Sequence, residues 1–222
     1  MPQQQEDETI YRKIVFTGLD NGGKTTIILT LQKSLAKLAT LAPTKMVERS
    51  NFTYLGHHFV AHDLGGQKKY LISYLKQPIY FADTETVIYV IDIQDVARYD
   101  ESLSYFKDML IEFKNLKVDP RVFVFFHKAE RVLVDGDPET ESELEGSMMK
   151  RIEGLKDTIN KICKEVGDFK VDYKLTSVFD IWSVTSAFSE IMMKIIPRSE
   201  LLDKALAEFS NTTGLEALLL LD

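Results

Sequence analysis

Two stretches of the chain run almost without polar interruption, Val87-Ile88-Tyr89-Val90-Ile91 and Val122-Phe123-Val124-Phe125-Phe126. Runs of this length and β-branched or aromatic content suit strands covered on both faces, as at the centre of a parallel sheet. Shorter apolar or alternating runs at Ile10–Thr17, Asn51–Leu55, His57–His62 and Val171–Thr176 extend the set, and the central runs fill Thr86–Ile93 and Arg121–His127. Between them apolar positions recur every three or four residues, predicting helices over Lys24–Ala39, Asp100–Leu116, Glu141–Val166 and Phe179–Ile196. Strands alternating with helices specify a doubly wound α/β fold with a mostly parallel six-stranded sheet and its ligand at the carboxyl ends of the strands. Gly56, between the second and third strands, marks a tight hairpin, so one edge strand is expected to be antiparallel. Trp182 and Phe188 read as core anchors of the last of these helices, Cys163 as a small core residue, and Asp135–Glu139 as a solvated loop. There is no internal repeat.

Composition narrows the classes. A chain of 222 residues with 45% hydrophobic content can bury one α/β core and a small extension. The net charge of −7 argues against a nucleic-acid-binding surface, which needs a basic patch. With one cysteine, neither a disulfide framework nor a Cys/His metal cluster is available, and the inventory fits a reducing, cytoplasmic setting. No apolar run approaches the roughly 20 residues of a membrane span. The first eight residues are polar and acidic and read as a disordered tail, not a signal peptide.

The strongest chemical signal is Gly18-Leu19-Asp20-Asn21-Gly22-Gly23-Lys24-Thr25, followed by Thr26. It fits G-x-x-x-x-G-K-[ST], placed after a strand and at the start of a helix, as a phosphate loop requires. The glycines allow backbone N–H groups to converge on phosphate oxygens, and the helix N-terminus adds its positive end. Lys24 is placed to reach the β- and γ-phosphates, and the Thr25 hydroxyl to ligate Mg²⁺. A second motif, Asp63-Leu64-Gly65-Gly66-Gln67, ends the third strand. A carboxylate there can hold Mg²⁺ from the side opposite Thr25, Gly66 can bring a bare N–H to a γ-phosphate, and Gln67 can orient an attacking water.

Together these two motifs resemble the Ras superfamily of small GTPases, and the Arf branch most closely. The resemblance implies the P-loop NTPase G-domain fold over residues 9–197, GTP or GDP with Mg²⁺ as ligands, and a switch that hydrolyses GTP slowly. Pro43-Thr44 resembles the Arf switch I, which makes Thr44 a third Mg²⁺ ligand and a catalytic residue beside Gln67 and Lys24. After the fifth strand the family carries Asn-Lys-x-Asp; here the residues are His127-Lys128-Ala129-Glu130. The histidine is similar to the Rag/Gtr branch. By the resemblance Glu130 accepts from guanine, through a stem one methylene longer than the family's aspartate, while Lys128 lays its stem along the base and reaches the phosphate loop. Leu175-Thr176-Ser177-Val178 and the helix that follows it are also similar to Rag proteins, placing Thr176, Ser177 and Val178 at the base.

Residues 198–222 contain Leu201–Leu206, which reads as a helix, and Gly214–Leu221, which reads as a strand. They resemble the opening of a roadblock domain, and their apolar positions either pack on the G domain or pair with a second chain as a homo- or heterodimer. Pro2 in place of glycine argues against myristoylation, and no cysteine near the end invites prenylation, so membrane recruitment is expected only through a partner. The other partners implied are effector, exchange-factor and activating proteins. Two other classes stay open at this point. One is a pseudo-GTPase dimerisation scaffold with little or no hydrolysis, favoured by His127 and Glu130. The other is a P-loop kinase or ATPase, opposed by the Asp-x-Gly-Gly-Gln motif.

Overall fold

The two uninterrupted apolar runs lie side by side at the heart of one sheet. The computed structural model describes residues 11–32, 47–54, 57–130, 143–196 and residue 212. Its strands are β1 (Tyr11–Thr17), β2 (Val47–Tyr54), β3 (His57–Leu64), β4 (Thr86–Asp92), β5 (Arg121–His127) and β6 (Val171–Thr176), and its helices are α1 (Lys24–Leu31), α2 (Lys68–Leu75), α3 (Tyr99–Leu116), α4 (Glu143–Val166) and α5 (Ile181–Ile195). The strand order is β2-β3-β1-β4-β5-β6. β1 runs parallel to both β3 and β4, which continue parallel through β5 to β6, and β2 alone pairs antiparallel with β3. The expected six-stranded sheet with one antiparallel edge is therefore present, and β1 is its topological switch point, where a doubly wound sheet opens its ligand crevice.

The pleat sorts the apolar runs onto two layers. Val87, Tyr89 and Ile91 of β4, with Val122, Val124 and Phe126 of β5, face Leu71 of α2, Phe106 and Phe113 of α3, and Ile152 and Ile159 of α4. Ile88, Val90, Phe123 and Phe125 face Ile27 and Ile28 of α1 and Phe188 and Ile191 of α5. Both faces are covered, so polar alternation in these strands would have cost burial on one side. Cys163 is buried as expected.

Several boundaries and roles differ from the expectations. α2 has no counterpart among them: its eight residues bury Leu71 and Tyr74 and leave Ile72 exposed, too short a stripe to stand out. β2 starts at Val47 rather than Asn51. α3 starts one residue earlier than expected, and α5 two residues later, after a Ser177–Asp180 turn closed by an isolated bridge. Trp182 is not a core anchor but is 76% exposed. The buried apolar stripe of α5 is Val184, Ala187, Phe188, Ile191 and Met192, a 3–4 spacing that leaves position 182 on nearly the opposite side of the helix. Phe188 does anchor that face, edge-on to Phe59 at 5.8 Å between ring centroids. The acidic tail, the far end of the expected first helix, Pro43-Thr44, Gly56, Asp135–Glu139 and, Thr212 apart, the 198–222 extension lie outside the described residues.

Candidate functional site

Four strand-end loops meet at the carboxyl edge of the sheet around a cleft of about 400 Å³. Its walls are Asp20, Asn21, Gly23, Lys24, Thr25 and Thr26 from the β1 loop and α1, Gly66 after β3, His127, Lys128 and Glu130 after β5, and Ser177, Val178 and Phe179 after β6. Of the expected nucleotide-binding residues, Gly22 and Thr176 do not line it. Gly22 sits behind the loop, with Leu19 O and Val90 O nearest the position of an added Cβ. Thr176 is fully buried beneath the cleft and hydrogen-bonds the ring of His127, Nδ1 to Oγ1 at 2.9 Å.

The loop's backbone explains its glycines. Gly18 has φ +131° and a Cβ there would meet Val90 O at 2.3 Å; Gly23 has φ +94° and a Cβ would lie 2.4 Å from His127 Cδ2. No L side chain tolerates that combination of dihedral and contact. Lys24, 5% exposed, donates from Nζ to Gly18 O at 3.0 Å and Leu19 O at 2.7 Å. Burial lowers its pKa to about 8, against the pull of Asp63 and Asp20. Thr25 Oγ1 donates to Asp63 Oδ2, so the two expected Mg²⁺ ligands from separate motifs face each other. The cleft thus carries a desolvated cation, a loop with room for no side chain, and a hydroxyl–carboxylate pair. That donor set fits a phosphate with a hard, oxygen-ligated divalent ion.

Gly66 packs against the phosphate loop itself: a Cβ would sit 2.0 Å from Asp20 N and 2.1 Å from Leu19 C. Gln67 follows as the N-cap of α2, its carbonyl accepting from Tyr70 and Leu71 and its side chain making no cap bond. It does not line the cleft. Thr44 lies outside the described residues.

At the other end of the cleft Glu130 is held on both sides, accepting from Gln94 Nε2 at 2.7 Å and from Ser177 Oγ at 2.9 Å. Lys128, in the left-handed region at φ 63°, sends its ammonium to Asp92 Oδ2 at 2.6 Å and not to the phosphate loop as expected. His127, 1% exposed, has its pKa lowered to about 4, first by burial and then by Lys128. Four further residues belong to the site's surroundings. Asp92 and Gln94 follow β4; Arg98 bonds Asp20 Oδ1 at 2.7 Å and so adds a second cation beside the phosphate loop; Phe179, 82% exposed, stands at the cleft wall. None carries a motif, and only their position at strand ends would have flagged them. Among the described residues no group of three or more His, Cys, Asp or Glu is arranged to hold a metal, and no helix is long and apolar enough to cross a membrane.

The sequence model of the Gtr1/RagA G protein conserved region matches residues 13–222. Ras-related GTP-binding protein C of human and of mouse is 26% identical over 218 residues, 95% of this chain and 50% of the relative. ADP-ribosylation factor-like protein 3 of Chlamydomonas reinhardtii is 35% identical over 111 residues, 50% of this chain and 60% of the relative. The chain thus spans about half to three fifths of the length of these relatives. The structure of the Arl6 (BBS3) small GTPase of Trypanosoma brucei, bound to the nucleotide analogue GppNp, superposes with a TM-score of 0.63 at 20% identity, covering 84% of this chain and 98% of that one.

Proposed function

The chain belongs to the Gtr1/RagA family of G proteins, and from that premise we propose that it is a GTP-binding switch that hydrolyses GTP slowly with Mg²⁺. The observation that carries this reading is the contact of Gly66 with the backbone of the phosphate loop, over a floor made of Lys24 and the facing Thr25–Asp63 pair. A γ-phosphate entering the cleft competes for the space in which these two loops now touch, so its presence or absence can be read by the Gly66 loop.

In this reading phosphate-loop N–H groups and Lys24 hold the β- and γ-phosphates. Thr25, Asp63 and Thr44 would hold Mg²⁺, which would offset phosphate charge. Gln67 orients a water in line with the γ-phosphorus; the new P–O bond forms as the bond to the β-phosphate oxygen breaks, releasing phosphate and leaving GDP. The work is positioning and electrostatics rather than covalent chemistry. His127 backs the loop at Gly23, and Glu130, with Lys128, Ser177 and Val178, forms the base end, while Thr176 supports His127 from beneath. Arg98 is tied to Asp20 and Glu101. Turnover is therefore slow, on the order of 10⁻⁴ to 10⁻² s⁻¹, until a partner supplies an arginine.

The switch loops would serve effector, exchange-factor and activating proteins, and residues 198–222 a homo- or heterodimer contact. The protein would work in the cytoplasm and reach a membrane through a partner. A pseudo-GTPase scaffold remains the second reading, because the protein's own side chains already engage both Glu130 oxygens. Identifying the nucleotide retained by the purified protein, then following its turnover, tests both. Retained GDP or GTP with slow phosphate release supports the switch; retained nucleotide without release selects the scaffold; a retained adenine nucleotide refutes the base assignment.

A further inference from the structure

The loops that follow β4, β5 and β6 are joined through one carboxylate. Gln94, just past the end of β4, donates from Nε2 to Glu130 Oε1 at 2.7 Å and to Lys128 O at 2.9 Å. Both partners are acceptors, so the amide nitrogen must face them, and its two hydrogens suffice for both bonds. Gln94 is itself fixed: its backbone N–H donates to Asp92 Oδ1 at 2.9 Å, while Asp92 Oδ2 takes the Lys128 ammonium. From the opposite side Ser177 Oγ donates to Glu130 Oε2, and the same hydroxyl accepts from Phe179 N at 3.2 Å.

We propose that Gln94 is a positioning residue that sets base specificity, holding the Glu130 carboxylate so that it selects guanine over adenine. The proposal rests on the guanine-nucleotide reading above. The physical problem it solves is the extra methylene of Glu130. A glutamate has one more rotor than an aspartate, and an unheld rotor loses the fixed geometry on which paired recognition depends. Gln94 and Ser177 clamp the carboxylate from two sides, one donor to each oxygen. Each oxygen still has lone-pair capacity free. Two acceptors fixed side by side match the N1–H and N2 amino group of guanine. Adenine sets the lone pair of its N1 against the same carboxylate, so a well-held Glu130 rejects it, whereas a loose one can turn away. Gln94 touches no base; it acts through Glu130.

The test is competition titration of GDP, IDP and ADP against the wild type, Gln94→Ala, Glu130→Asp and the double variant. Gln94→Ala should narrow the GDP-to-ADP affinity ratio about fivefold to tenfold while ADP affinity changes less than twofold. IDP, which lacks the amino group, should lose less than GDP. In the Glu130→Asp background, where the shorter carboxylate withdraws from the amide, Gln94→Ala should change the ratio less than twofold. An unchanged ratio in Gln94→Ala overturns the proposal, as does an equal loss for GDP and ADP, which a mere staple between loops would give. A wild type with no guanine preference overturns the base reading itself and the proposal with it, an outcome distinct from a guanine-selective wild type whose selectivity ignores Gln94.

Discussion

Replacing Lys24 by methionine should weaken binding and relieve a strain at once. In the protein stripped of nucleotide and Mg²⁺, Lys24 is a buried ammonium whose pKa falls from the ordinary 10.5 to about 8, first through desolvation. At about 1.4 kcal/mol per pH unit, holding that charge costs the folded state about 3 kcal/mol below pH 8. The sign follows from the direction of the shift. The folded pKa lies below the unfolded one, so the penalty is full at low pH and lifts as pH rises from 8 towards 10.5. Between pH 7 and 9 the stripped wild type should gain roughly 1 kcal/mol from this residue. Cys163, whose pKa burial raises to about 11, pulls the other way over the upper part of that range. It does so equally in Lys24→Met, so the difference between the two proteins isolates the lysine. At pH 7 the methionine also forfeits two hydrogen bonds, to Gly18 O and Leu19 O, each about 1 kcal/mol. The stripped variant should therefore be as stable as the wild type or about 1 kcal/mol more so, a rise of roughly 2–4 °C in midpoint for a chain of this size. Saturating GDP should raise the wild-type midpoint and leave the variant's unmoved, since about 2.7 kcal/mol at 100 times Kd is lost with the site. Thermal melts at pH 7, 8 and 9, with and without GDP, measure all of this. A variant that keeps the wild-type pH slope, or that is stabilised by GDP to the same extent, refutes the reasoning.

Three further outcomes are expected. Gln67→Leu should lower single-turnover GTP hydrolysis at least tenfold with GTP affinity within about twofold, because an oriented water matters only in the transition state; an unchanged rate assigns the water to another group. Gly66→Ala places a methyl against the Asp20 and Leu19 backbone, which no rotamer change relieves, so the stripped protein should lose about 1–3 kcal/mol in denaturant melts, and an unchanged midpoint would deny the loop contact. His127→Asn should blunt acid sensitivity: the folded pKa of about 4 lies below the ordinary 6.5, so wild-type stability falls as pH drops from 6.5 to 4, by up to about 3 kcal/mol for this residue. Equal acid slopes in the two proteins would count against it; the variant keeps the contribution of His62, whose pKa is lowered in the same direction.

What was legible in the sequence follows from how strongly each feature is constrained. β4 and β5 announce themselves because burial on both faces leaves no room for a polar residue, and the phosphate loop does because its dihedrals and contacts exclude side chains at Gly18 and Gly23. α2 stayed hidden because eight residues with two buried positions carry too little periodicity. Trp182 was misplaced because size suggested burial, whereas the helical phase set by Val184, Ala187 and Phe188 decided it.

The Glu130 end of the cleft shows why side-chain partnerships escape a linear reading even where the motif is visible. Glu130 departs from the family's aspartate, and read alone the longer stem suggests slack. Yet the partners that take up the slack come from loops 36 and 47 positions away, Gln94 and Ser177. They meet Glu130 only because β4, β5 and β6 are parallel neighbours whose carboxyl ends are brought level, Asp92 opposite His127 and His127 opposite Thr176. The register is set by the apolar runs, the register aligns the loops, and the aligned loops give the glutamate its two donors. A substitution that loosens a motif in sequence can therefore be tightened by residues that belong to no motif, and in the proposed reading base selectivity is a property of the three loops together.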